Sequence, residues 1–303
     1  MNSYYYGNPE KQDWSLVTDV FAAHESLNSE RTSSLPLVQF WKDDKLNKRV
    51  SSLEKLCPGV KLLSAGSELY FEYGVSVPNG FGRGKASMTD LMIISKQHVI
   101  AVEAKYTEVT KRYESIKSWL NKNPQDNNDN KIKVLVGWLK YIFYADGFTT
   151  NPLKDWLKYI FDTVGFTPNP KDWLKYIFDT DGFTPNPEVR ERISQIQTVP
   201  YQLIHRIASA CAIAHNKQVS PVVIYQIFYD HDTREKASKF AVNLRGWVKT
   251  LGLKSDFRFY AIGVPILKGP KKTTKLNDLF LQMKKDDVYT FGEPCEWQDI
   301  PNT

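Results

Sequence analysis

The stretch 89-TDLMIISKQHVIAVEAKY-106 decides the fold. It holds two apolar runs, residues 89–95 and 98–106, with Gln97 and His98 at a tight turn between them. Two β-rich runs joined that closely predict an antiparallel hairpin inside a sheet. Strand side chains alternate, so Glu103 and Lys105 share one face while Val102 and Ala104 point the other way, toward a core. Asp90 opens the preceding strand. Carboxylates on a core strand are costly unless something uses them. A divalent cation is one such use. Mg²⁺ is hard, prefers oxygen, and is held by one or two carboxylates together with water and phosphate oxygens. A charged lysine does not ligate a metal, but it can orient or deprotonate an attacking water and offset phosphate charge. The plain alternative is a Glu103–Lys105 ion pair on an exposed strand face.

The flanking sequence predicts what covers this hairpin. Residues 13–27 read as a helix, with Trp14, Val17, Val20, Phe21 and Ala23 at helical spacing. Residues 35–57 are helical in part and stop at Pro58-Gly59. Residues 68–77, ELYFEYGVSV, form a strand that ends at Pro78-Asn79-Gly80. Beyond the hairpin, residues 110–120 read as a helix and residues 121–130 as a polar, Asn-rich loop. Residues 199–216 contain a helix with Leu203, Ile207, Ala210, Cys211 and Ala214 along one stripe. Residues 221–229 and 257–264 are strands. Helix, helix, three strands, helix, strand, helix, strand predicts an α/β fold, a mixed central sheet flanked by helices.

Three units stand in tandem within residues 138–189. WLKYIF begins at Trp138, Trp156 and Trp173, at steps of 18 and 17 residues. Asn-Pro supplies a start signal and Gly-Phe-Thr a stop, which leaves a helix of about ten residues. Helices this short need packing to persist. The reading is a helical insertion, dispensable for the core, in a single domain spanning residues 1–303.

Asp90, twelve residues, then Glu103-Ala104-Lys105 resembles the D…(D/E)-x-K signature of the PD-(D/E)XK nuclease superfamily, in its restriction-endonuclease-like branch. Thr89 stands where that family usually has proline. The resemblance covers about residues 50–264, interrupted by the repeat. It implies a core of helix, three strands, helix and strand, and Mg²⁺-dependent hydrolysis of DNA phosphodiesters (with Mn²⁺ as a substitute). The resemblance also implies a setting in restriction, defence or repair, and a homodimer as one way to cut two strands. Carried over, Asp90, Glu103 and the Ala104 carbonyl hold the metal and Lys105 serves the water. Gln202 matches the glutamine of the later helix. Glu68 is the first choice for an upstream acid, with Glu72 and Glu54 as contenders. Arg83 and Lys85 in the GFGRGK loop, with His205 and Arg206, are candidates for contact with the nucleic-acid backbone. A catalytically inactive relative that binds nucleic acid or a protein partner is the alternative.

Composition agrees with these expectations. Of 303 residues 42% are hydrophobic, enough for a packed core; the net charge of +6 favours polyanionic partners but by itself is ordinary for a soluble chain of this size. The longest apolar runs are too short to span a bilayer, and residues 1–13 lack the pattern of a secretory signal. Cys57, Cys211 and Cys295 form no CxxC pair, which fits a reducing, cytoplasmic setting and no zinc ribbon. The five histidines show no ligand spacing, and nothing points to a small-molecule cofactor.

Overall fold

The expected hairpin forms, between β-strands at Ser87–Ile94 and His98–Lys105. The structure is a computed structural model that describes residues 3–6, 14–23, 33–42, 45–75, 87–110, 113–121, 131, 134–135, 137–139, 141–142, 195–253, 257–270 and 276–297. In chain order the elements are β1 (Ser3–Tyr6), α1 (Trp14–Ala23), α2 (Ser34–Phe40), α3 (Leu46–Leu56), β2 (Glu68–Val75), β3 (Ser87–Ile94), β4 (His98–Lys105), a 3-10 turn at Thr107–Thr110, and α4 (Ile116–Asn121). Then follow α5 (Tyr201–Lys217), β5 (Ser220–Tyr229), α6 (Arg234–Leu251), β6 (Arg258–Lys268), α7 (Leu276–Met283), β7 (Thr290–Phe291) and β8 (Cys295–Glu296). Most of the repeat, and the GFGRGK loop with Arg83 and Lys85, lie outside the described residues.

Among the described residues the strands make one mixed sheet in the order β1-β2-β3-β4-β5-β6-β7, with β8 also on β6. The pairs β2–β3 and β3–β4 are antiparallel, while β1–β2, β4–β5 and β5–β6 are parallel. Parallel neighbours need crossover connections, and α6 is the crossover between β5 and β6. The central strand β4 is buried along its whole length. Its Ile100, Val102 and Ala104 pack under α1, α2, α3 and α7, beside Phe21, Trp41, Leu53 and Phe280. Its Val99 and Ala101 pack on the opposite face, under α5 and α6, beside Ile207, Cys211, Phe240 and Leu244. Glu103 and Lys105 are odd-numbered like Val99 and Ala101, so they stand on the α5 face.

The sequence reading and the structure part company at several elements. Residues 35–57 make two helices, α2 and α3, with a break between Trp41 and Lys45. The N-terminal strand β1 was not expected; four residues are too few to display a period. The same holds for β7 and β8. Trp138, Leu139 and Ile142, at the start of the first repeat unit, are buried in the α5-side core. Trp138 stacks on Trp119 with ring centroids 5.4 Å apart. The beginning of the repeat is therefore part of the core rather than an appendage. No described helix is long and apolar enough to cross a membrane.

Candidate active site

Three local features gather the acids on the α5 face of the sheet. The alternation of β4 is the first, since it sets Glu103 and Lys105 side by side. The second is an interrupted ladder. The β3–β4 pairing ends at Leu91 opposite Val102. One register step further the Ala104 N–H donates instead to Asp90 Oδ2, at 2.8 Å. That bond pins the Asp90 carboxylate to the backbone between Glu103 and Lys105. The third is Glu72, which has φ of +47°. A non-glycine residue held in this left-handed region stores on the order of 1–3 kcal/mol of strain, and such residues cluster at functional sites. On either side of it Phe71 pairs with Leu91 and Tyr73 with Thr89, so Glu72 stands across from Asp90.

The charges of the cluster push against one another. Burial, then Asp90 and Glu103, push the Glu72 carboxyl up to about 8. Burial, then Glu103, push Asp90 up to about 7, against the pull of Arg206 and Lys105. Glu103 moves the opposite way. Burial would raise it, but Arg206 and Lys105 outweigh burial and hold it below the usual carboxylate range. The contacts explain this: Glu103 Oε1 accepts from Lys105 Nζ at 2.6 Å, and its Oε2 is ion-paired with Arg206 Nη2. Burial alone would lower Lys105, yet Glu103 and Asp90 outweigh it and keep an ammonium there. Glu103 is 4% exposed, Lys105 9% and Arg206 5%. The pair is thus not on an exposed strand face, and the small worth of surface ion pairs does not describe it.

Arg206 was expected to face nucleic acid and does not. It points from α5 into the sheet, where Nη1 donates to the Met88 carbonyl at 2.6 Å and to Thr89 Oγ1 at 2.7 Å. It joins α5 to β3 and, through Glu103, to β4. His205 is also turned inward, with its ring 4.4 Å from that of Trp138. Burial, then the Arg206 charge, lower its pKa to about 3, so the ring is neutral and offers no charge to a phosphate. Gln202, one turn earlier on α5, is exposed. With Lys105, Tyr113, Glu114 and Tyr201 it lines a cleft of about 270 Å³.

Asp90, Glu103 and Lys105 therefore meet around one place, with the Ala104 backbone part of it, and Gln202 shares with Lys105 the cleft beside it. Glu68 does not join them. Register sets it opposite Ile94, four residues along β3 from Asp90, and its carboxylate accepts from the Tyr70 hydroxyl at 3.1 Å. Glu54 accepts from Lys61 Nζ at 2.8 Å and from the Leu62 N–H at 2.9 Å, on the helix α3. Glu72 is the upstream acid of the cluster. The sequence reading had no role for Tyr225, which is opposite Glu103 on β5 and has its phenol pushed up by burial and by Glu103. No local pattern marks Arg206 for its inward turn, because it flanks the apolar stripe of α5 and is buried only by the docking of that helix.

The carboxylates of Glu72 and Asp90 are donors that suit a hard cation. Glu72 and Asp90 repel, and a dication would relieve that repulsion. Glu103, however, is already held by two cations. Among the described residues no three His, Cys, Asp or Glu side chains close into a ligand set in this arrangement.

Residues 11–161 match the family described as "Domain of unknown function (DUF6946)". That stretch takes in β2, β3 and β4, hence Glu72, Asp90, Glu103 and Lys105, and stops before α5 with Gln202 and Arg206. No curated protein and no solved structure matches the chain.

Proposed function

We propose that the protein is a Mg²⁺-dependent nuclease that hydrolyses DNA phosphodiester bonds, with a PD-(D/E)XK, restriction-endonuclease-like core. The observation that carries this reading is the cluster of buried Glu103 and Lys105 with half-buried Glu72 and Asp90 on one sheet face, with Lys105 opening onto a cleft. The succession α3, β2, β3, β4, α5, β5 supports the core assignment, and the exposed Gln202 at the cleft supports the site. Restriction, defence or repair in the cytoplasm is the setting this reading implies, with a homodimer as one way to cut two strands.

Asp90, Glu103 and the Ala104 carbonyl would hold the metal, with Glu72 as a third carboxyl. The bound ion would lower the pKa of a water and offset charge at the reacting phosphate. The side chains do the rest. Lys105, kept as an ammonium, donates to the water or to a phosphate oxygen and does not act as a base. Glu72, its carboxyl pushed up by burial, Asp90 and Glu103 in the metal-free site, would give up its proton on meeting the ion. Arg206 holds β3 and β4 in place so that Asp90 and Glu103 keep their separation. In the hydrolysis, water adds to phosphorus, the P–O bond to the leaving sugar oxygen breaks, and that oxygen ends protonated.

A second reading is favoured by one observation. Both Glu103 oxygens are engaged by Lys105 and Arg206, as in a protein of this fold that binds nucleic acid or a partner without cutting. Incubation of supercoiled, linear and branched DNA with the protein, with and without Mg²⁺ or Mn²⁺, separates the two. Metal-dependent cleavage that disappears in Asp90→Asn supports the nuclease. DNA binding without cleavage in any metal supports the second reading.

A further inference from the structure

The cleft beside Lys105 has walls that differ in chemistry. Lys105, buried except for its approach to the cleft, is at the sheet end. Tyr201 forms another wall. One face of its ring is stacked on Trp119, with centroids 5.2 Å apart and planes 11° apart. Trp119 stacks in turn on Trp138, and Trp138 packs on His205, so the Tyr201 ring is backed by a column of aromatic rings. Tyr113 is equally fixed, stacked on Phe240 at 4.7 Å and edge-on to Trp247 at 5.7 Å. Gln202 brings an amide, with a donor and an acceptor, and Glu114 a carboxylate; a second carboxylate, Glu108, already accepts from Ser33 and from the Tyr106 N–H.

We infer that this cleft receives one unpaired nucleobase next to the scissile phosphate, so that the substrate is single-stranded or locally unpaired DNA. The inference rests on the nuclease reading for the role of the phosphate, and adds the class of strand that the site accepts. A volume of about 270 Å³ is enough for one base. A rigid tyrosine ring is a stacking surface, and stacking of a base on an aromatic side chain is worth ~1–3 kcal/mol. The amide of Gln202 can pair with a base edge. Glu114 decides the orientation. A carboxylate repels a phosphate but accepts from an exocyclic amino group, so the base enters and the phosphate stays at Lys105. A base inside a duplex cannot reach this cleft without being unstacked. Cytosine, adenine and guanine carry an exocyclic amino group that Glu114 can accept from, and thymine does not.

The test is fluorescence titration in EDTA, where no metal supports cleavage, with a single-stranded 2-aminopurine oligonucleotide and its duplex. Oligo(dC) and oligo(dT) of one length compete. The expected results are quenching of 2-aminopurine by the single strand only, at least tenfold weaker binding of the duplex, and severalfold weaker competition by oligo(dT). Tyr201→Leu should abolish the quenching and weaken single-strand binding about tenfold or more. Gln202→Ala, at an exposed position, should weaken it severalfold with an unchanged melting temperature; this variant covers the case in which Tyr201→Leu fails to fold. Equal affinity for duplex and single strand, or quenching unaltered in both variants, overturns the inference. Because binding is read without metal, absence of cleavage elsewhere would sink the nuclease reading and leave this result standing. Cleavage of fully paired duplex at the single-strand rate would do the reverse.

Discussion

At Lys105 the chemistry and the fold make separable demands. If its ammonium serves the attacking water, Lys105→Ala lowers the cleavage rate by on the order of 10²–10⁴ while oligonucleotide affinity falls little. Glu103 keeps Arg206 as a partner in that variant but loses one of its two cations, so the melting temperature falls and the rate is compared per folded molecule. A purely structural pair predicts lost stability and an unchanged rate per folded molecule; parallel measurement of rate and melting temperature decides. Asp90 gives a prediction of unusual sign. Its carboxyl and that of Glu72 titrate at about 7 and about 8 in the fold, above the ordinary range of carboxylates. Between those ordinary values and about 8 the folded state holds protons that the unfolded chain has released, so these groups make stability fall as pH rises. Without metal, melting temperature should decline from about pH 5 to pH 8. Asp90→Asn keeps the acceptor for the Ala104 N–H and removes the repulsion. It should melt a few degrees higher than wild type at pH 8 in EDTA, and lose the stabilisation that millimolar Mn²⁺ gives wild type. A variant that melts lower, or still responds to Mn²⁺, contradicts the site as described.

At the scale of elements, α5 is the piece on which the site depends. Its stripe of Leu203, Ile207, Ala210, Cys211 and Ala214 was legible as helical spacing, and all five are buried. Arg206 lies off that stripe and yet is buried as well, because the helix docks over the point where β3 and β4 part. Arg206→Met should loosen that junction. Leaving Glu103 with one of its two cations costs on the order of 3–5 kcal/mol, visible as a large drop in melting temperature, and Arg206→Lys should recover only part of it. The same helix carries His205 against Trp138. Trp138→Ala is expected to cost ~3–5 kcal/mol, as large core truncations do. Denaturant titration of the two variants checks both values.

For the whole molecule, the repeat is the question of construction. The first unit supplies Trp138, Leu139 and Ile142 to the core, so removal of all three units should unfold the protein or make it aggregate. Excising only residues 156–189 keeps that contribution, and long surface connections tolerate such changes at small entropic cost. The shortened chain should melt within a few degrees of the full one, as measured by circular dichroism. A collapse of the fold would show that the later units also belong to the core.

Local pattern determined a definite part of this protein. Alternation alone separates Glu103 and Lys105 from Val102 and Ala104, and the tight turn read at Gln97-His98, one residue beyond its place at residues 96–97, makes the hairpin. These follow from strand geometry, which needs no knowledge of partners. Which upstream acid meets Asp90 was beyond the sequence. Glu68 and Glu72 share a strand face, and only the pairing of Phe71 with Leu91 and Tyr73 with Thr89, together with the left-handed turn at Glu72, selects between them. Arg206 likewise looks like any surface arginine of an amphipathic helix until the docking of α5 buries it against Glu103. Strand β1 carries no period in its four residues and exists because β2 offers it a free edge. Periodicity sets the face on which a side chain stands, since that is a property of neighbouring residues. Register and docking depend on contacts between residues distant in the chain, and those decided which charges meet.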